Sequence, residues 1–431
     1  MISTCLSFIL MGVAFIVTTL VYPYVLAFAH RHNIVDNPSA RKLQRVPVPV
    51  MGGTAVFLGI IVAVITGMFF EPNERVMKIM GLLTLIFLVG VWDDIKDVSA
   101  ALRFLLELGV VWMMILILGV EINDFHGLWG VHELPDAVSV PLSLIAGVGI
   151  MNAINLIDGV DGYCSTYGVM ACSVFAIIFF YAGDMGNFAL ALIAIGAFIP
   201  FFFHNVFGRT SKMFLGDGGS LMLGTLLAYF TFSVLTTGSP TAHYVYSGLS
   251  LPAVCLSILA VPVFDTLRVM IVRVAKGGSP FHPDKTHLHH LFIDMNFSHL
   301  STSAIIVMGN ILIEGILVMS WALGLSVDWQ TYLVILCSLS FTWLFYFVMD
   351  KEHRKNDGDG SELWQRWCKH GKATNLSRTP FWLFVRKVVD SRFLGAGFMK
   401  TNVAKPEGPV VMDAPKKRLD PRVGSSVKDQ K

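Results

Sequence analysis

Four short stretches of a largely apolar chain carry amides, carboxylates and imidazoles at spacings suited to phosphate chemistry. The first is NAINLIDGVDG, Asn152 to Gly162. Asn152 and Asn155, three apart, share a helix face, and Asp158 and Asp161 follow where Asp-Gly pairs release the chain into a turn. A helix cap accounts for one Asn or Asp at such an end, but two Asp-Gly pairs separated by one residue exceed what a cap requires. The second stretch, VWDDIKD, brings in Asp93, Asp94 and Asp97. Asp93 and Asp97, four apart, fall on one face if the helix runs a further turn, with Asp94 turned about 100° away. Carboxylates crowded at a hydrocarbon boundary repel and need a counter-ion. A hard cation such as Mg²⁺ takes carboxylate oxygens and fills its other positions with water or phosphate oxygens.

The third stretch, FLGDGGS, sets Asp217 between glycines at the start of an apolar run, where the backbone can approach a ligand and a helix N-terminus directs N–H groups at anions. Arg209 and Lys212 lie just upstream. The fourth, GGSPFHPDKTHLHH, ends in Lys285, His287, His289 and His290. Its spacings suit neither an i, i+4 helical pair nor a zinc pattern, and no cysteine accompanies it. It reads instead as a donor-rich loop for a diphosphate. Asp265 and Arg268, three apart in an apolar segment, read as a buried ion pair. A proline-shaped loop from Asp36 to Gly53 carries Arg41, Lys42 and Arg45.

The elements that position these groups are transmembrane helices. With 431 residues, 54% hydrophobic and only 14% charged, and a mean hydropathy of +0.65, the chain is too apolar to be soluble. About eleven spans of roughly 20 residues are predicted, near 3–29, 53–70, 78–92, 101–120, 137–157, 164–182, 187–204, 217–236, 246–275, 303–323 and 331–349. The fold class is an all-α polytopic membrane protein, with a transmembrane catalytic domain over 1–350 and a basic tail over 351–431. Of the 14 Lys and Arg before residue 350, 12 lie in or beside odd-numbered loops, and the tail carries 18 more. The positive-inside rule then makes the odd loops and the C-terminus cytoplasmic and the N-terminus external. All four motifs fall on that cytoplasmic face.

The first apolar run has no basic n-region or cleavage pattern and reads as a retained helix. The six cysteines show no CxxC spacing and suggest neither disulfides nor zinc. Positive charge forms no stripe, so nucleic acid is not an expected partner. In the tail, TPFWLFVRKVVD, residues 379 to 390, reads as an interfacial amphipathic helix, and the chain beyond about 400 reads as disordered.

Taken in order, DDxxD at Asp93, NxxNxxDGxDG at Asn152, FLGDGGS at Phe214 and SPFxPDxxHLHH at Ser279 resemble the motifs of the polyprenyl-phosphate N-acetylhexosamine-1-phosphate transferases. PDKTHLHH is more similar to the branch using UDP-N-acetylglucosamine than to the one using UDP-N-acetylmuramoyl-pentapeptide. The resemblance covers about residues 30 to 300. It implies a Mg²⁺-dependent enzyme, with Mn²⁺ as a substitute, in the bacterial inner membrane with its site toward the cytoplasm. Undecaprenyl phosphate would attack the β-phosphorus of UDP-N-acetylglucosamine, releasing UMP, as the first membrane step of a cell-surface glycan such as O-antigen lipopolysaccharide. Sequence leaves open direct attack or an aspartyl-phosphate route, and direct attack, with Asp93 assisting deprotonation of the lipid phosphate, is the expectation.

The resemblance also implies roles. Asp217 and Asp158 are expected on the metal, and Asp93, Asp94 and Asp161 in catalysis. Lys42, Arg45, Asn152, Asn155, Lys285, His287, His289 and His290 are expected on the substrates. It leaves room for a homodimer. Two other readings fit less well: an intramembrane prenyltransferase has no use for the His cluster, and a transporter would place charge near the midplane and in both sets of loops.

Overall fold

The computed structural model describes residues 2–37, 46–280, 285–355 and 360–390. Ten described helices are long and apolar enough to cross a bilayer. They are α1 (Ile2–Arg31), α2 (Gly52–Phe70), α3 (Glu74–Lys96), α4 (Ala100–Met113, prolonged by a π turn to Leu118), α5 (Asp136–Leu156), α6 (Tyr163–Ala182) and α7 (Met185–Phe207), then α8 (Gly216–Leu235) and, after the break described next, α12 (His299–Ala322) and the run Val327–His353. The chain is thus an all-α polytopic membrane protein.

The ninth expected span is present but broken. Its halves, α9 (Leu251–Ile258) and α10 (Ala260–Ala275), meet at 72°. Pro262 is the physical cause, since it has no N–H for the carbonyl of Ile258 four residues earlier. That carbonyl is satisfied by other helices: the Tyr167 hydroxyl donates to it at 2.6 Å and the Asn310 amide of α12 at 3.2 Å. Asn310 also donates to the Ser257 carbonyl at 3.0 Å and accepts from the Val261 N–H at 3.1 Å. A freed backbone group inside hydrocarbon costs several kcal/mol, so the break persists only with these partners.

Helix α8 is the axis of the bundle, buried along its length except at Asp217. Between helices in lipid the attraction is close packing rather than water exclusion, and small residues permit it. At Gly90 of α3 a methyl group would sit 2.5 Å from the backbone of Asp217 and Gly218, so α3 and α8 touch backbone to backbone where the carboxylates stand. The segment before α2 packs against the entry to α8 in the same way. A two-residue ribbon, β1 (Val35–Asp36) with β2 (Val48–Pro49), leads into it. Phe214 N–H then donates to the Pro49 carbonyl at 2.8 Å, and Gly52 and Gly53 donate to Phe214 and Leu215 at 2.8 and 2.7 Å.

Past the broken span come the short α11 (Leu288–Asp294) and then α12. The run Val327–His353 comprises α13 (Val327–Leu339) and α14 (Phe345–His353). Two further helices follow, α15 (Glu362–Ala373) and α16 (Pro380–Val389). They pack onto the end of the bundle that carries the motifs, where Trp382 stacks on Phe207 with ring centres 4.6 Å apart. The stretch beyond 390, with its expected disorder, lies outside the described residues.

Candidate active site

The site is built where the ends of α3, α4, α5 and α8 meet. Helix α8 enters through Gly216 at φ +77°, a left-handed conformation that a side chain would strain. A Cβ there would also lie 2.6 Å from Asp94 Oδ2. Asp94 uses that space: Oδ1 accepts the Asp217 N–H at 2.9 Å and Oδ2 the Gly218 N–H at 3.2 Å. Helix α8 has no side-chain cap of its own, so the carboxylate of α3 caps it from a distance and meets the positive end of its dipole.

Asp217 is thereby fixed with its side chain one-third exposed. The Asn155 amide donates to its Oδ1 at 2.7 Å and to Ser220 Oγ at 2.9 Å. Arg103 Nη1 approaches its Oδ2 at 3.6 Å and donates to Asp93 Oδ2 at 3.0 Å, while Arg103 Nε lies 3.5 Å from Glu107 Oε1. One guanidinium therefore serves three carboxylates. Asp93 is occupied on both oxygens, since Oδ1 accepts the Val98 N–H at 2.7 Å. Asn152 donates to Glu107, which is fully buried. The face expected to be shared by Asp93 and Asp97 does not form. Asp97 ends α3 in a left-handed turn at φ 48° and is exposed, while Asp93 points inward.

Asp158 follows the end of α5. Burial, and then the negative charges of Asp217 and Asp94, push its carboxyl well above the usual range. Asp161, three residues on, has the opposite environment. Burial alone would raise it, but His299 Nδ1 at 2.8 Å and Lys212 Nζ at 2.6 Å of Oδ2 hold it well below the ordinary value. Asn205 Oδ1 accepts the Gly162 N–H at 2.7 Å and completes the fixing of this turn.

The imidazole loop closes over the same turn. His287 Nδ1 lies 2.9 Å from Asp265 Oδ2, and Arg268 Nη2 donates to Asp265 Oδ1 at 2.6 Å and to the Thr286 carbonyl at 2.6 Å. Arg268 is itself fully buried, 3.5 Å from the centre of the Tyr346 ring. The ion pair legible in the spacing of residues 265 and 268 is thus also the anchor of His287, whose Nε2 is left buried without a partner among the described residues. His289 stacks between its neighbours, 5.7 Å from the His287 ring and 4.3 Å from that of His290, and lies against Gly159. Burial and the adjacent His290 and His287 lower its pKa well below the ordinary value, so His289 is neutral at pH 7. Lys285 is half-buried at the start of this described stretch. Lys42 and Arg45 lie outside the described residues.

A model of glycosyl transferase family 4 matches residues 76–235, the stretch holding Asp93, Asp94, Asn155, Asp158 and Asp217. A probable undecaprenyl-phosphate N-acetylglucosaminyl 1-phosphate transferase of Bacillus subtilis is 33% identical over 322 residues, 73% of this chain and 86% of its own length. The undecaprenyl-phosphate alpha-N-acetylglucosaminyl 1-phosphate transferases of Yersinia pestis and Escherichia coli K12 are 28% and 26% identical, over 83% and 89% of their lengths and 73% and 78% of this chain. The chain belongs to this transferase family.

Three residues of the site are not apparent from the motifs. Arg103 and Glu107 form an i, i+4 pair inside an apolar helix, and that pairing of charges in a membrane span is a signal in itself. His299 has no such signal, because it meets Asp161 only through the packing of α12. Among the described residues no three carboxylates, imidazoles or thiols converge closely enough to form a metal cage.

Proposed function

We propose that the chain transfers N-acetylglucosamine-1-phosphate from UDP-N-acetylglucosamine to undecaprenyl phosphate, giving undecaprenyl-diphospho-N-acetylglucosamine and UMP. The carrying observation is the half-buried carboxylate of Asp217, held at a helix N-terminus by Asp94 and Asn155 beside Arg103. Such a rim of fixed anions with one cation suits a reaction that needs charge neutralisation and positioning more than covalent chemistry. Kinship with enzymes named for this acceptor and sugar supports the substrates. The bias of Lys and Arg among the loops supports a cytoplasmic site in the inner membrane.

Asp217 and Asp158 would hold Mg²⁺, or Mn²⁺ with the same oxygen chemistry. The donor set fits, because Mg²⁺ commonly takes one or two carboxylates and completes its octahedron with waters and substrate phosphates. The carboxyl of Asp158 is raised first by burial and then by the charges of Asp217 and Asp94, and a cation would relieve the second of these. When bound, the ion would neutralise the diphosphate oxygens on which charge develops.

The protein residues do the rest. A phosphate monoester has a second pKa near 6, so the lipid phosphate is largely dianionic at pH 7 and needs little help losing a proton. Asp93, with both oxygens engaged, holds Arg103 toward the acceptor phosphate. His287, oriented through Nδ1 by Asp265, presents Nε2 to the diphosphate, and His289 packs the loop against the turn at Gly159. Asp161 locks that turn through Lys212 and His299.

The test is the fate of the β-phosphate. With UDP-N-acetylglucosamine labelled there, label is expected in the butanol-extractable lipid with an equal amount of UMP. Label left on the nucleotide, with UDP released, would show attack at the sugar carbon and overturn the reading.

A further inference from the structure

The segment from α15 to α16 is bonded to both arms that hold Asp161. Asp390 Oδ1 accepts the Arg209 N–H at 3.0 Å, three residues before Lys212. Ser301 Oγ, two residues after His299, donates to the Thr374 carbonyl at 2.8 Å and accepts the Leu376 N–H at 3.2 Å. Lys212 and His299 are the two side chains that hold the Asp161 carboxylate. The position of this segment therefore bears on the turn that carries Asp158.

Helix α16 has two apolar faces. One, Trp382, Val385 and Val389, packs on Phe203, Val206 and Phe207. Phe203 lies a full turn inside the end of the membrane-crossing α7, so α16 runs alongside that helix at the level where the bilayer begins. The other face turns away from the protein, with Phe381, Phe384 and Val388 exposed by 63%, 64% and 42%. Bulk water is a poor neighbour for this face, and at this level the adjoining medium is lipid. The surrounding charge selects the kind of lipid. Residues 360–390 contain Arg366, Lys369, Lys372, Arg378, Arg386 and Lys387 against Glu362 and Asp390 only. Basic residues flanking an interfacial helix are attracted to anionic headgroups.

We propose that α15 and α16 form a lipid-seated brace: the outward face of α16 inserts into the anionic surface of the membrane that the chain crosses, and the brace holds the Lys212 and His299 arms on Asp161. The lipid contact stands apart from the transferase reading, whereas the effect on turnover rests on it. The surface recognised is a bilayer carrying phosphatidylglycerol-type headgroups. A second copy of the chain, or another protein, on the same face is the competing arrangement.

The full chain, freed of its unburied Cys5, Cys337 and Cys368, is spin-labelled singly at Phe381→Cys, Phe384→Cys or, as a control on α15, Arg366→Cys, in nanodiscs of phosphatidylglycerol and phosphatidylcholine. Labels at 381 and 384 are expected to be accessible to oxygen and shielded from a water-soluble nickel chelate, with the reverse at 366. Nickel access at 384 would place that face in water, and shielding from both probes would place it against protein; either overturns the lipid contact. Neither depends on the sugar nucleotide, so such a failure leaves the transferase reading standing. The double variant Phe381→Glu/Phe384→Glu tests the brace. Hydrogen exchange of the backbone amides of residues 209–213 is expected to quicken several-fold, and lipid-linked product formation to fall several-fold. Unchanged exchange and turnover would overturn the coupling to Asp161.

Discussion

Asp94 and Asp217 are bound as cap and capped: the carboxylate of Asp94 accepts the N–H of Asp217 and of the residue after it. Two anions stand side by side because the positive end of α8 lies between them. The side chain of Asp217 is then directed by Asn155 and Arg103. Asp94→Asn keeps one acceptor but sets an amide N–H against a helix N–H. A loss of about 1–2 kcal/mol of stability is expected, as for other lost caps. Thermal unfolding in detergent measures it, and the Mg²⁺ concentration for half-maximal transfer is expected to rise in the same variant.

Removing the carboxylate proposed for the metal is expected to act more sharply. Asp217→Asn should abolish transfer while leaving the protein in the membrane, because a site with one or two carboxylates loses much of its affinity with either. Radiolabelled sugar incorporation across a Mg²⁺ titration checks this, and near-normal turnover at ordinary Mg²⁺ would refute the assignment.

Arg103 neutralises three carboxylates with a side chain only 24% exposed. Arg103→Ala is expected to cost roughly 3 kcal/mol, the low end for breaking a buried pair. Glu107→Gln in that background should return part of the stability, since one stranded anion is removed. Transfer should not return, because Asp93 and Asp217 still lack their cation. A double-mutant cycle on unfolding and on kcat/KM separates the two effects.

Asp265 and His287 are expected to differ in kind. His287→Asn leaves the Asp265–Arg268 pair intact and should cost about 1–2 kcal/mol, with a larger loss in kcat. Asp265→Asn strands a fully buried guanidinium and should cost about 3–5 kcal/mol. Melting temperatures of the two variants should fall in that order, and the reverse order would show that Asp265 does not anchor the loop.

The Asp161 clamp carries a pH signature. Its carboxyl is held below the unfolded value near 3.9. A depressed folded pKa means that the stabilisation is fully present above about 3.9 and is lost as pH falls through the folded value. The stability gap between the wild type and Asp161→Asn is therefore expected to be constant from pH 8 to 5 and to narrow below about 4. Unfolding at a series of pH values measures it, and a gap that narrows as pH falls from 8 to 5 would show that the depressed carboxyl of Asp161 does not set its strength.

Helices were legible in the sequence because a bilayer accepts few ways of satisfying a backbone. Each long apolar run had to be a helix, and eleven runs gave ten passages and a broken one. The break could have been read from Pro262, but its partners could not: Tyr167 and Asn310 reach it from α6 and α12. Local spacing likewise exposed Asp94, Asn155, Asp158, Asp217 and the imidazole loop as polar groups with a purpose. It also suggested the Asp265–Arg268 pair, whose members are three residues apart.

Which of those groups meet was decided by packing. Asp94 reaches Asp217 across 123 residues because Gly90 lets α3 and α8 touch. Asp161 meets His299 across 138 residues because α12 lies against the turn. A chain without its fold holds no information on such distances, since a hydrogen bond requires about 3 Å and sequence spacing fixes proximity only within a few turns of one helix. Residue type and period therefore determined the membrane helices and the inventory of the site. Close packing of those helices decided which carboxylate caps, which is clamped and which is left open to a ligand.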